Sequence, residues 1–152
     1  MKKYGILLLI MAFFLVGCGN NKTKEVGDIN NFQTVAINNG FNAENNKSAY
    51  ANDDYITDAI LATQEEITVE MVIYDNEESA SKVQESQIKS FSNLSSTGQS
   101  LKREKGKNYY KYVLISNGYY MVSSRIDNTL IFTKTLLTNK EKVETILDNM
   151  GY

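Results

Sequence analysis

Histidine and tryptophan are absent from this 152-residue sequence, and Cys18 is its only cysteine. These absences exclude His-containing catalytic triads, Cys–His nucleophile pairs and the ordinary zinc sites, whose ligands are cysteine and histidine. An enzyme built from this chain would have to use carboxylates, a Ser–Lys pair or tyrosine. We therefore expect a protein with no catalytic residues, no metal and no cofactor.

A membrane-spanning apolar segment is also lacking. The apolar run at residues 5–16 holds about a dozen residues, whereas a helix needs about 20 to cross a bilayer. The run follows Lys2 and Lys3 and ends in small Gly17 before Cys18. A buried N-terminal helix of a cytosolic protein is the alternative interpretation. The order of charged start, apolar core, small residue and cysteine favours a signal peptide.

The stretch Leu15-Val16-Gly17-Cys18 resembles the lipobox of bacterial prolipoproteins. The resemblance implies that Cys18 receives a diacylglycerol, that the chain is cut before it, and that the new amine is often acylated. We therefore divide the chain into a signal peptide (1–17), a lipidated cysteine with a flexible tether (18–27) and a single domain (28–152). The expected location is the extracytoplasmic face of the cell membrane, where the lipid on Cys18 holds the protein.

Positive charge is scarce in the expected mature chain. Removal of Lys2 and Lys3 leaves 14 of the 16 basic side chains against 18 acidic ones. Such a balance excludes nucleic acid as an expected partner. It also predicts no electrostatic attraction of the whole domain to anionic lipid, so that the acyl chains must provide the anchoring.

The hydrophobic pattern predicts three helices and five strands in the order α-ββ-α-βββ-α. The predicted elements are a helix over 28–39 capped by Asp28, strands over 55–63 and 67–74, a helix over 75–94 opened by an Asp75/Glu78 capping box, a three-stranded meander over 109–135, and a last helix opened by Thr138 and Glu141. Residues 42–54 and 95–106 are predicted loops. Short connections favour an α+β fold of two layers, with an antiparallel sheet and all helices on one face.

The meander supplies the candidate binding residues. Asn117-Gly118 predicts a type I′ hairpin that places Val113 opposite Val122 and Ile115 opposite Tyr120. If the helices cover the aliphatic face, a tyrosine-rich face is left for a partner. We name three possible contact residues, which are Tyr112, Tyr119 and Tyr120. Ordinary cross-strand aromatic pairing is the alternative, and the two faces could also be reversed.

Three further clusters each have a functional and a structural interpretation. The basic run (Lys102, Arg103, Lys105, Lys107, Lys111) would contact lipid headgroups or anionic wall polymers, or is a solvated loop. The acidic group (Asp53, Asp54, Asp58) would hold Ca²⁺, although it lacks the spacing of an EF-hand loop, or is solvated. Arg125 beside Ser123, Ser124 and Asp127 would belong to a hydrolase site, or is a strand-end residue bonded to its turn. We favour the structural interpretation for each.

The mature chain also resembles small secreted lipoproteins of uncharacterised function from Gram-positive bacteria with AT-rich genomes. The similar stretches are residues 32–41, 76–91 and 119–129. No activity is attached to that group. We expect a non-catalytic binding or accessory module that engages an envelope protein or a wall component. The alternatives are a carboxylate-dependent envelope hydrolase and a structural surface antigen with no fixed ligand.

Overall fold

One antiparallel sheet of seven strands organises the molecule. The computed structural model describes residues 22–94 and 99–152, so Cys18 and the lipobox lie outside the described residues. The strands are β1 (Asn42–Asn45), β2 (Ile56–Gln64), β3 (Ile67–Tyr74), β4 (Ser100–Lys105), β5 (Tyr109–Ser116), β6 (Tyr119–Ile126) and β7 (Thr129–Leu136). The helices are α1 (Ile29–Asn38), α2 (Glu77–Asn93) and α3 (Lys140–Asn149), with short 3-10 turns at Lys47–Tyr50 and Leu137–Asn139.

The strand order is β1-β2-β3-β7-β6-β5-β4, and each neighbouring pair is antiparallel. The predicted five-stranded sheet is therefore wrong, because both predicted loops contain an edge strand. β1 and β4 are mostly exposed and carry no apolar alternation. They are strands because their backbones pair with β2 and β5.

The predicted two-layer arrangement is also wrong, because helices cover both faces of the sheet. α1 and α3 pack on one face, where Phe32 and Ile146 join the largest apolar cluster. α2 packs on the opposite face through Ala80 and Phe91. The three-layer arrangement explains why β5, β6 and β7 bury residues on both sides. No helix among the described residues is long and apolar enough to cross a membrane.

The hairpin between β5 and β6 has the predicted register. Val113 lies opposite Val122, and Ile115 lies opposite Tyr120. Asn117 and Gly118 adopt φ values of 53° and 78°, as a type I′ turn requires at both central positions. The division of this meander into two side-chain faces is thus confirmed, although α2 covers much of the face that we expected to be open.

Of the three predicted helix starts, the Asp28 cap is confirmed and the two predicted capping boxes are wrong. Asp28 caps α1, and its Oδ1 accepts a hydrogen bond from the Asn31 N–H at 2.7 Å. For α2 the cap is Asn76 instead of Asp75, because Asn76 Oδ1 accepts from the Ser79 N–H at 2.9 Å. α3 begins after a 3-10 turn, and Asn139 precedes it without a side-chain cap.

The segment at residues 22–28 lies against the turn between β4 and β5. Asn108 bridges to the backbone of Lys24, accepting from its N–H at 3.0 Å and donating to its carbonyl at 2.9 Å. The Lys107 N–H also donates to the Lys22 carbonyl at 2.9 Å. The described part of the predicted tether therefore joins the domain at this corner of the sheet.

Candidate ligand groove beside helix α2

Helix α2 covers only part of its face of the sheet. One row of directly opposed residues crosses all seven strands, in the order Glu44, Leu61, Glu70, Phe132, Ser123, Tyr112, Arg103. α2 lies over the Ser123 and Tyr112 end of this row, where Ser123 Oγ donates to Gln87 Oε1 at 2.9 Å and the Tyr112 hydroxyl lies 3.1 Å from Ser92 Oγ. The Leu61, Glu70 and Phe132 end flanks the helix.

A groove follows the flank of α2 above this part of the sheet. Its larger section, of about 650 Å³, is lined by Tyr55, Ser79, Lys82, Val83, Ser86, Gln87 and Ser90. A smaller section of about 290 Å³ shares Gln87 and Ser90 and reaches Leu61, Glu70 and Phe132. The two sections together have the size of a ligand site in proteins of known function. We call this feature the α2 groove.

The helical side of the α2 groove follows from residue spacing. The lining residues of α2 recur every three or four positions, and residues at that spacing share one face of a helix. Ser79 and Ser90 stand 11 positions apart, which gives a wall of about 17 Å at 1.5 Å per residue. Most of the side chains on this wall are polar and Val83 is apolar, so that the groove offers hydrogen bonds and some apolar contact.

The floor of the α2 groove contains one carboxylate, which is already engaged. Glu70 Oε1 accepts from the Tyr50 hydroxyl at 2.8 Å and from Asn46 Nδ2 at 2.7 Å. Burial raises the pKa of the Tyr50 phenol, and the hydrogen bond to Glu70 raises it further. The phenol therefore stays protonated at neutral pH and keeps donating to Glu70. A Glu70 carboxylate held by two hydrogen bonds in this way is better suited to a rigid structural role than to acid catalysis.

Stacked tyrosines form the wall opposite α2. The rings of Tyr55 and Tyr74 lie 6.2 Å apart and nearly parallel, at 7°. Tyr74 is buried, and its pKa is raised by burial and by the neighbouring Tyr50. Tyr55 is 40% exposed and lines the groove. The pair therefore presents one supported aromatic face to a ligand.

The three tyrosines named from the sequence are not brought together. Tyr112 is buried beneath α2, with the Arg103 guanidinium 5.8 Å from its ring centre. Tyr120 lies on the opposite face, where it is buried and donates to Glu144 Oε1 at 3.2 Å. Tyr119 is 38% exposed. Its ring lies 4.9 Å from Lys134 Nζ, and Lys134 lines the smaller section of the α2 groove.

The remaining sequence clusters are engaged in local structure. Asp58 Oδ1 accepts from Asn45 Nδ2 and from the Ala59 N–H. Arg125 Nη1 donates to Glu77 Oε1 at 2.7 Å and to the Asp127 carbonyl at 3.0 Å. Among the described residues, no three His, Cys, Asp or Glu side chains lie close enough together to hold a metal ion.

Sequence reasoning placed Glu70 on the polar side of β3 but did not connect it with α2. A signal for that connection was present in β3 itself, where four apolar residues from Met71 to Tyr74 follow one another. Unbroken apolar runs are typical of strands that are covered on both faces. A helix on the Glu70 side would have followed from that observation.

Comparison with known proteins gives little. No protein family matches the chain, and no curated protein matches it. Among solved structures, the chain is similar to a GTP binding regulator from Thermotoga maritima. That similarity has a TM-score of 0.48 and 17% sequence identity, and it covers 86% of this chain and 92% of the other. At this level nothing about the function of that protein carries over to this chain.

Proposed function

We propose that this protein is a lipid-anchored binding module on the extracytoplasmic face of the cell membrane, and that it does not catalyse a reaction. The lipobox-like stretch ending in Cys18 supports the anchor. The α2 groove supports the binding role, because its lining combines aromatic, hydroxyl and amide groups. We propose that its ligand is an extended peptide segment of an envelope protein.

The shape and charge of the α2 groove support an extended peptide. A wall of about 17 Å matches about five residues of a strand at roughly 3.3 Å each. The cationic Lys82 on the rim is paired with Glu78 at 2.7 Å, so the groove does not demand an acidic ligand. The polar wall of α2 and the apolar Leu61 and Phe132 of the smaller section suit a peptide, whose backbone forms hydrogen bonds and whose side chains can fill apolar positions.

The composition of the groove argues against the hydrolase alternative. Glycoside hydrolases pair two carboxyl groups about 5–9.5 Å apart. Glu70 is the only carboxylate among the residues that line either section of the α2 groove, and its Oε1 accepts two hydrogen bonds. We therefore do not propose hydrolysis at this site.

A site-specific photocrosslinking experiment tests the binding role. A photoreactive amino acid at Ser86, in the groove, is compared with the same amino acid at Lys89, which is exposed on the same helix and does not line the groove. Both variants are expressed in the native envelope and irradiated. We expect one peptide segment to crosslink from Ser86 and not from Lys89.

A blocking substitution completes the test. Ser86→Trp fills the groove, whereas Lys89→Trp adds the same side chain outside it. We expect the first variant to lose the captured partner and the second to keep it. Equal capture from both positions would refute the groove as the site. Capture of wall glycan in place of peptide would refute the ligand class, and no capture at all would favour a structural surface antigen.

A further inference from the structure

The basic side chains of the described residues are concentrated at one edge of the sheet. Six of the 14 basic residues lie in two neighbouring segments, residues 22–24 and 102–107, which contain a single acidic residue, Glu104. The rest of the described chain holds eight basic and 17 acidic residues. We call the following group the basic edge: Lys22, Lys102, Arg103, Lys105 and Lys107. Lys24 is left out because its Nζ is paired with Glu104 at 3.9 Å.

Pairing geometry places the cations of β4 on both sides of the outermost strand. Lys102 lies opposite Val113, on the face of α1 and α3, whereas Arg103 lies opposite Tyr112, on the face of α2. A flat surface can meet cations on both faces only if the edge of the sheet points towards it. Lys111 is not part of this surface, because it is half-buried and donates to the Tyr152 carbonyl at 2.9 Å.

The connection to Cys18 reaches the same edge. Lys22 and Lys24 are bound to the turn at Lys107 and Asn108. Three residues lie between Cys18 and Lys22, and the four steps from one to the other span at most about 14 Å in a fully extended chain. A lipid on Cys18 would therefore hold Lys22, at one end of the basic edge, within about 14 Å of the headgroups, which is less than two screening lengths of about 8 Å at physiological salt.

We propose that the basic edge binds the anionic headgroups of the bilayer in which Cys18 is anchored. This inference rests on the lipid anchor of the proposed function. The bilayer is favoured over wall polymers because the anchor places it beside the edge. The acidic remainder of the domain is repelled by the same headgroups, so charge asymmetry orients the molecule. The overall negative charge predicted no such attraction, because it averages over two regions of opposite sign.

The orientation has a consequence for the α2 groove. The groove floor on β2 and β3 lies four to five strands from β4, which is about 19–24 Å at the usual strand spacing. The end of β6 that bears Tyr119 is also the end remote from the connection to Cys18. The basic edge would thus turn the candidate groove away from the lipid and towards the rest of the envelope.

Energy transfer to labelled lipid headgroups tests this orientation. Cys18 is acylated in the anchored protein, so an introduced cysteine is the only thiol for a donor dye. Leu101→Cys reports on β4, and Asn42→Cys reports on β1 at the opposite edge, about 29 Å away across six strand spacings. The lipidated protein is reconstituted in vesicles of neutral phosphatidylcholine, with or without about 30% phosphatidylglycerol.

In anionic vesicles at low salt, we expect strong energy transfer from the Leu101→Cys label and weak transfer from the Asn42→Cys label. In neutral vesicles or at high salt, we do not expect this difference between the two labels. Lys102→Gln/Arg103→Gln/Lys105→Gln should reduce the ratio of docked to undocked protein about a hundredfold, at about fivefold for each cation near the surface. The control Lys47→Gln/Lys89→Gln/Lys142→Gln changes the net charge equally and should leave the ratio unchanged. Similar melting temperatures establish that both triple variants are folded.

Each failure has a distinct meaning. Absence of lipid on Cys18 by mass spectrometry would refute the anchor and therefore the proposed function. Lipidated protein with equal transfer in neutral and anionic vesicles would overturn only the inference about the basic edge. Release of the edge from anionic vesicles by a small amount of soluble poly(glycerol phosphate) would identify wall polymer as the preferred partner and would also overturn it.

Discussion

The contact between Asn108 and Lys24 yields a prediction of defined size. Asn108→Ala removes two side-chain hydrogen bonds to the Lys24 backbone and a third to Asp127 Oδ2. At about 1 kcal/mol net for each bond, the two bonds to Lys24 stabilise the docked segment by about 2 kcal/mol. Their loss should raise the local opening constant of residues 22–26 about 30-fold.

Native-state hydrogen exchange measures this opening directly. We expect the Lys107 amide, which donates to the Lys22 carbonyl and keeps that acceptor in the variant, to exchange about 30 times faster in the Asn108→Ala variant, while amides in the central strands keep their protection because the segment opens locally. Asn45→Ala is the matched control, since it also removes two side-chain hydrogen bonds, to Asp58 and from the Lys47 N–H, at a distant turn. Unchanged exchange at Lys107, or equal acceleration there in the control, would refute the docking of this segment.

Three other predictions concern the fold, pH and the anchor. Gly118→Val should lower the melting temperature by roughly 4–7 °C. The residue has a φ of +78° and no atom near an added Cβ, so the cost of about 1–2 kcal/mol is backbone strain alone. Gly118→Asn should retain most of the wild-type melting temperature, and equal losses in the two variants would contradict the type I′ turn. Burial raises the pKa of Tyr152 to about 12, so the folded state retains the phenol proton that the unfolded state loses near pH 10. The free energy of unfolding should therefore fall between pH 10 and 12, and less steeply in Tyr152→Phe. Cys18→Ala should release the protein from membranes, and persistent partitioning into detergent would rule out the lipid anchor.

The core strands could be predicted because their pattern is set by burial. The boundaries of β3, at Ile67 and Tyr74, agree with the sequence prediction, and so does the register of β5 with β6. The apolar alternation within β3 indicates its boundaries, and the Asn117-Gly118 turn indicates the register of β5 with β6. Residues at these positions cannot shift by one without moving the apolar side chains to the wrong face.

The edge strands could not be predicted from periodicity because little of either strand packs against the core. β1 reads Asn-Ala-Glu-Asn and buries only Ala43, and β4 buries none of its residues. Their formation depends on backbone pairing with β2 and β5, which leaves no local apolar pattern. Lysine-rich edges are also common because they discourage aggregation. The length of the two predicted loops was the available warning, since structureless loops of 12 or more residues are uncommon in compact domains.

The prediction of a tyrosine binding site did not foresee that α2 covers this face of the sheet. Tyr112 and Tyr119 do share a face, as the register required, yet α2 buries Tyr112 and leaves Tyr119 exposed. Tyr120 was included although its register places it opposite Ile115, on the other face. The α2 groove depends on where one helix lies across a sheet. That position is fixed by Gln84, which donates to the carbonyls of Tyr110 and Ser123, and such long-range contacts leave no motif in the sequence.

Charge distribution and strand order together connect the anchor with the candidate site. The basic edge and the connection to Cys18 meet at β4, whereas the α2 groove opens over β2 and β3, on the far side of β7 and β6. The sheet therefore separates the two by about 20 Å. With the anchor that we propose on Cys18, a ligand of the groove should reach it from the envelope space and not from within the lipid. Replacing the cations of the basic edge by acidic residues would test this arrangement. The membrane-anchored variant should then bind the ligand of the α2 groove less readily, while the affinity of the soluble domain for that ligand stays the same.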